Sequence, residues 1–246
     1  MSRILVIPDV HLKTKIFDRA DAILKSGHAD KAIQMGDMVD DWGEEFNIAL
    51  YSRTLERAIK FQEDHPNTIW VVGNHDFGYW HPNWGKRETG HSYFVEGEVK
   101  TLLEELERKG GKQHRMYIEG GCIFTHAGLT CPWVARRKEA LGMSAKTILD
   151  TDGMYDLVNT AALEEMWEED SPIWARPQLN TSTPFPAKLQ VTGHTPVEHT
   201  DVYNEVLSTD SFSTYRNGAP YGDQKFAIVD TVTGEWSIAK EEDEQI

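Results

Sequence analysis

The chain has 246 residues, 39% of them hydrophobic, and a formal charge of −15, enough apolar material for one large domain spanning 1–246 with no dividing linker. Its acidity excludes a protein that grips nucleic acid through a broad basic surface, since phosphate neutralisation needs excess cations. Cys122 and Cys131 are too few for a disulfide framework, and no apolar run reaches membrane-spanning length, so a soluble protein of the reducing cytoplasm, with no membrane partner, is expected.

In chain order, Ile4 to Ile7 and Ala32 to Met35 are short apolar runs stopped by Pro8 and Gly36, and both read as buried strands. Between them Ile16, Ala20, Ile23 and Leu24 repeat at helical spacing up to Gly27, where a helix C-cap fits. Ile48, Tyr51, Leu55, Ala58 and Ile59 predict a second helix, and Ile69 to Val72 a third strand. This alternation opens an α/β fold with neighbouring parallel strands. Val95, Val99, Leu102, Leu103 and Leu106 predict a helix closed by Gly110 and Gly111, and Val158, Ala162 and Met166 another. The last third turns to strands, "LQVTGH", "EVLSTDSF" and "KFAIVDTVTGEWSIA", with a hairpin at Thr233-Gly234. The acidic stretch 240–246 reads as a frayed, solvated end.

The strand at 69–72 runs straight into Gly73-Asn74-His75-Asp76. In parallel α/β sheets ligands gather beyond the carboxyl ends of the strands, so polar residues placed there face one crevice. The first strand delivers Asp9 and His11, the second Asp37 and Asp40, the third Asn74 and His75, and later strands His126 and His194. Asp9, His11, Asp37, Asn74, His126 and His194 form a mixed nitrogen and oxygen donor set suited to Mn, Fe, Zn, Ni or Mg rather than to a thiolate site. Two ions sharing Asp37 would clamp a phosphoryl oxygen and lower the pKa of a water, which is machinery for phosphoester hydrolysis.

The ordered motifs Asp9-x-His11, Gly36-Asp37-x-x-Asp40, Gly73-Asn74-His75-Asp76, His126 and Gly193-His194 resemble those of the calcineurin-like metallophosphoesterase superfamily. The resemblance implies a four-layer α/β/β/α sandwich holding two divalent metal ions, Mn foremost. It assigns Asp9 and His11 to one ion, Asp37 to both, and Asn74, His126 and His194 to the second, with His75 as general acid and Asp40 orienting it. "THAGL" and "SPIWARP" are similar to the phosphoprotein phosphatase group in its bacterial and phage branch, which makes Arg176 a phosphate clamp; the alternative is a stacked surface arginine. That group carries an arginine where this chain has Asp41, followed by Trp42. The activity implied is phosphomonoester hydrolysis, with metal-bridged hydroxide as nucleophile, acting on a phosphorylated small molecule, nucleotide or phosphoprotein. Nucleotide or dinucleoside polyphosphate hydrolysis, phosphodiester cleavage and a non-catalytic protein-binding scaffold remain as rivals.

Two further segments stay open. Residues 77–94, with Tyr79, Trp80, Trp84, Lys86, Arg87 and His91, read either as a recognition loop or as aromatics pinning that loop to the body. Trp133 and the run Arg136, Arg137, Lys138 are either a phosphate-meeting patch or a solvated face. His28, His65, His81, His91, His114 and His199 are expected at the surface or in loops.

Overall fold

Strand β1 (Arg3–Ile7) buries both of its faces, which is why it reads as unbroken apolar sequence. Leu5 and Ile7 point to one side, into a cluster with Phe17, Phe61 and Trp70. Ile4 and Val6 point to the other, against Phe124, Val191 and Leu207. The computed structural model that shows this describes residues 2–80 and 91–240. Trp84, Lys86, Arg87 and His81, and the acidic end from 241, lie outside the described residues.

Around β1 the first sheet builds outward through β2 (Lys31–Gln34), β3 (Ile69–Val71) and β4 (Gln113–His114), all parallel. On its other side β10 (Ala227–Asp230) and β11 (Trp236–Ile238) add antiparallel. Gly234 closes the β10–β11 turn at φ +80°, donating to the Asp230 carbonyl, as Thr233-Gly234 predicts. The second sheet runs β5 (Tyr117–Glu119), β6 (Cys122–Phe124), β7 (Leu189–Thr192), β9 (Val206–Ser208) and β8 (Asp201–Tyr203), with the β6, β7 and β9 trio parallel.

Helices close both outer faces. On the first sheet lie α1 (Lys15–Lys25), α2 (Ile48–Asp64) and α4 (Glu96–Arg108), whose apolar stripes supply Ile23, Leu55, Phe61, Val99 and Leu103. Over the second lie α5 (Cys131–Ala140), α6 (Thr151–Asn159) and the short α7 (Leu163–Met166), packed as Trp133, Val134, Leu157 and Met166 onto Ile123. The expected α/β/β/α sandwich is therefore present. The sheets meet through a middle layer that includes Ile33, Met35, Val71, Cys122 and Val191.

One expected helix divides. Val158, Ala162 and Met166 fall on α6 and α7 rather than on one continuous element, because Ala162 is extended (ψ 159°) and Glu165 turns back to accept from its N–H at 2.6 Å. A further helix, α3 (Asn74–Trp80), starts inside the Gly-Asn-His-Asp motif, so the span 77–94 does not begin as a loop. Phe77 and Tyr79 are buried core residues there.

Candidate metal centre

Every strand that ends at this edge of the sandwich turns sharply into a polar side chain. Gly36, at φ +100°, ends β2, and a Cβ there would meet the Gly73 backbone and His126 Nδ1. Gly73 and Gly193 have ordinary φ and are required for space: a Cβ on Gly73 would overlap the Asp37 carboxylate, and one on Gly193 would overlap Asp9 Oδ1. His11, Asp37, Asp40 and His194 all take positive φ, between 42° and 63°. Four such non-glycine residues at one locus mark backbone strain concentrated at the site.

All six expected donors lie at this edge, buried or nearly so. The Asp37 carboxylate is at their centre: its Oδ2 lies 3.3 Å from His126 Nε2 and 3.7 Å from His11 Nε2, and its Oδ1 accepts from the His75 backbone N–H at 2.9 Å. Donor atoms of Asp37, His126 and His194 lie within 4.8 Å of one another, as do those of Asp37, His11 and His75. Asp9 Oδ2 accepts from the His194 N–H at 2.9 Å across the two sheets.

The hydrogen bonds behind these groups set which way they face. His126 Nδ1 meets the Met35 carbonyl at 2.7 Å and His11 Nδ1 the Asp40 carbonyl at 2.8 Å. Each carbonyl takes the Nδ1 proton, so each Nε2 presents a lone pair to the cluster, the tautomer that metal-ligating imidazoles adopt. Around His126 Nε2 three acceptors then converge, the other two being Asn74 Oδ1 at 2.9 Å and Asp37 Oδ2. Asp9 Oδ1 and His194 Nε2 are buried with no hydrogen-bond partner. Buried acceptors facing one another without a donor are costly, and a divalent cation satisfies them together. The residues present therefore fit a metal.

Electrostatics agree. Burial raises the Asp9 carboxyl well above its ordinary pKa, and Asp210 and Asp37 raise it further. Burial works against Asp37 too, but His126, His75 and His11 outweigh it and hold that carboxyl ionised. Asp210 is a further buried carboxylate here, held by the N–H and Oγ of Ser213. Sequence reading passed over it because "STDSF" looked like strand, whereas β9 ends at Ser208. Its signal was position: a carboxylate just past a parallel strand end, like Asp9 and Asp37.

His75 and Asp40 form a separate dyad. His75 Nδ1 lies 3.0 Å from Asp40 Oδ2, and its Nε2 is 3.9 Å from Asp37 Oδ2. Burial would lower the His75 pKa, but Asp37 and Asp40 reverse that and lift it to about 9. Asp40 is itself fixed by two phenols, Tyr51 at 2.7 Å and Tyr79 at 2.6 Å, both donating to Oδ1. Tyr79 stacks on His91 at 4.1 Å and accepts from the Ser92 N–H. Of the two alternatives for the aromatics of this segment, Tyr79 takes the structural one, bracing the dyad from the core on α3, while His91 lies outside any helix or strand yet is buried rather than at the surface. Asp76 also faces inward, accepting from the N–H groups of Met38 and Gly73; burial and Asp37 push its pKa up to about 7.

A cleft of about 510 Å³ opens over the cluster, lined among others by His75, His194, Arg176, Trp174 and Asp210. Arg176 donates from Nη1 to Thr195 Oγ1 at 2.9 Å and lines this cleft. The cation run does not. Arg136 pairs with Glu168 and Asp170, Arg137 with Glu165 and the carbonyls of Leu157 and Thr160, and Lys138 with the Thr147 carbonyl. Trp133 is buried, so this segment is structural.

No helix among the described residues is long and apolar enough to cross a membrane. A comparison with curated proteins found no match. Among solved structures, the chain is similar to a cold-active protein-tyrosine phosphatase of a psychrophile, Shewanella sp., at TM-score 0.53 and 15% identity, covering 98% of this chain and 81% of that one. A metallophosphoesterase from Sphaerobacter thermophilus aligns at TM-score 0.45 and 20% identity, covering 96% and 75%. At these identities the first likeness speaks to the fold only. The family model for calcineurin-like phosphoesterases matches residues 2–221, nearly the whole sandwich and every donor above, and the chain accordingly belongs to that family of metal-dependent phosphoester hydrolases.

Proposed function

We propose that the protein is a phosphomonoesterase in which Asp9, His11 and Asp37 hold one divalent ion and Asp37, Asn74, His126 and His194 a second, with Mn the preferred metal. The observation that carries this reading is the convergence of buried acceptors on Asp37 beside an imidazole that is held by its own carboxylate. Bound there, two such ions supply Lewis acidity, polarising a phosphoryl oxygen and making water a usable nucleophile at neutral pH.

The chain's own groups do the rest. Asp40 keeps the proton on His75 Nδ1, which leaves Nε2–H directed to the cleft as the donor for the departing oxygen. With burial outweighed by Asp37 and Asp40, the His75 pKa is lifted to about 9, which keeps the imidazole protonated and able to donate. Arg176, tethered through one nitrogen to Thr195, has its remaining donors for the non-bridging phosphate oxygens. Tyr51 and Tyr79 act only through Asp40.

Substrates in view are phosphorylated small molecules, nucleotides and phosphoproteins, the branch being the phosphoprotein phosphatase-like one. The nucleotide and dinucleoside polyphosphate reading leaned on the aromatic segment 77–94, and it loses part of that support because Tyr79 is a core residue. Both cysteines are free, which fits a reducing cytoplasmic setting.

The test is hydrolysis by metal-stripped protein reconstituted with Mn, using p-nitrophenyl phosphate and bis-p-nitrophenyl phosphate in parallel. Monoester turnover that needs metal and falls about 10²- to 10⁴-fold in His75→Ala is expected. Turnover of the diester alone moves the protein to the diesterase reading, and metal binding with neither activity moves it to the scaffold.

A further inference from the structure

Where the resembling phosphatase group carries an arginine, Asp41 does something else. Its Oδ2 pairs with Lys13 at 3.1 Å and its Oδ1 accepts from the N–H of Trp42 at 2.9 Å. The turn is closed further by Glu44 N–H to the Asp41 carbonyl and Gly43 N–H to Glu45. Trp42 thus sits on a hydrogen-bonded turn, yet its side chain is 56% exposed and forms part of the cleft wall. An exposed indole held on a hydrogen-bonded turn in the cleft wall presents a flat apolar face to whatever binds there.

Across from it, residues 214–220 form a second turn, bridged between Thr214 and Pro220 and closed by Tyr215 N–H to the Ala219 carbonyl at 2.9 Å. Thr214 also lines the cleft. From this turn Arg216 lays its guanidinium over the Trp42 ring, 4.6 Å from the centroid. Arg216 makes no ion pair or hydrogen bond among the described residues, whereas Arg57, Arg136 and Arg137 are all spent on carboxylates. One face of the indole is therefore taken by a cation, which holds the ring upright.

We infer that Trp42, steadied by Arg216, is the specificity-determining residue of this cleft and stacks a planar aromatic ring carried by the leaving group of the phosphomonoester. The inference rests on the phosphomonoesterase reading and narrows its substrate class to ring-bearing phosphates. The ring comes either from a phosphorylated phenol, as in phosphotyrosine, or from a nucleobase; a stack of this kind is sequence-tolerant and accepts any π-face. The phosphate itself stays with Arg176 and the metal cluster.

The experiment compares wild type, Trp42→Ala and Trp42→Phe, all Mn-loaded, on phenyl phosphate and β-glycerophosphate. Intrinsic leaving-group reactivity cancels when each substrate's KM is compared between variants. Trp42→Ala is expected to raise KM for phenyl phosphate about three- to ten-fold with kcat little changed, to leave β-glycerophosphate alone, and to be rescued by Trp42→Phe. A phosphotyrosine peptide and a nucleoside 5′-monophosphate, run the same way, show which ring source loses affinity. Equal change on both simple substrates, or none on either, overturns the inference. Calorimetric titration of the same proteins with phenylphosphonate and methylphosphonate needs no turnover: if wild type hydrolyses nothing, the phosphomonoesterase reading fails, while a preference for the phenyl compound that is lost in Trp42→Ala still upholds the stack. No phenyl preference in wild type overturns it.

Discussion

The two ends of the sandwich solve the same problem, how to join two sheets with polar groups, in opposite ways. At the end where β2 and β6 begin, Lys31 of the first sheet meets Glu119 and Tyr117 of the second, and Thr231 donates to the other oxygen of Glu119. Charges there are matched and the groups keep some exposure. At the end where the same strands finish, Asp9, Asp37 and Asp210 are packed with imidazoles, and Asp9 Oδ1 and His194 Nε2 have no partner at all. At the first end the polar groups are satisfied by their neighbours, whereas at the second two buried acceptors of the metal-ligand type are left without a donor among imidazoles and carboxylates, which a bound cation would relieve. The comparison separates architecture from site without appeal to the family.

The sharpest way to break it is to crowd the close approaches at the functional end, between the sheets at Gly193 and within the first sheet at Gly73. Gly193→Ala places a methyl on Asp9 Oδ1, and Gly73→Ala places one on Asp37. Either is expected to cut Mn-dependent activity by more than about 100-fold, because a misplacement near 1 Å in a positioned site costs that much, and to lower bound metal measured by elemental analysis. Gly97→Ala, in α4 with open space around its Cβ, is the matched control and should be neutral or stabilising by about 0.5–1 kcal/mol. Full metal content in Gly193→Ala would mean the close approach of the sheets is incidental.

A milder perturbation targets the bracing of the dyad. Tyr79→Phe leaves Tyr51 on Asp40 Oδ1 but removes one of its two phenol donors, together with the acceptor for the Ser92 N–H. A hydrogen bond to a charged group is worth about 1.5–3 kcal/mol, so urea unfolding should show a loss of about 1–2 kcal/mol. The kcat should fall about three- to ten-fold with KM unchanged, since Tyr79 touches Asp40 and no substrate. An unchanged kcat would reduce Tyr79 to a core residue.

Much of the functional end was legible because its residues follow short apolar strands directly: Asp9 after β1, Asp37 after β2, Asn74 and His75 after β3, His126 after β6 and His194 after β7. A period-independent apolar run ended by Gly, Asp or His is a local signal. What needed the structure was non-local. Tyr79 read as a loop residue because nothing in sequence says that α3 begins at Asn74 and turns a tyrosine back onto Asp40, 39 positions away, and the same tyrosine buries His91 by stacking on it. The split between α6 and α7 turned on one extended residue, Ala162. Asp210 was hidden because "EVLSTDSF" has strand composition throughout while pairing stops at Ser208. Arg137 and Lys138 looked like surface cations since their carbonyl partners lie up to 23 residues downstream.

The structural end gives the smallest effect and the cleanest pH dependence. Burial tends to raise the pKa of Glu119, but Lys31 and Tyr117 outweigh it and bring it down to about 2, from an ordinary 4.5. A carboxyl depressed on folding contributes stability above its unfolded pKa, and that contribution disappears as pH falls from about 4.5 through 2. Wild type should therefore exceed Glu119→Gln in unfolding free energy at pH 7 and converge on it near pH 2. Because Glu119 keeps a quarter of its side chain in solvent, screening holds the difference to less than about 1 kcal/mol, and added salt should shrink it. A pH-independent difference would mean that Glu119 joins the sheets through packing and its neutral hydrogen bonds instead of its charge, and the matched-charge account of this end would give way to one resting on the Ile33, Cys122 and Val191 layer alone.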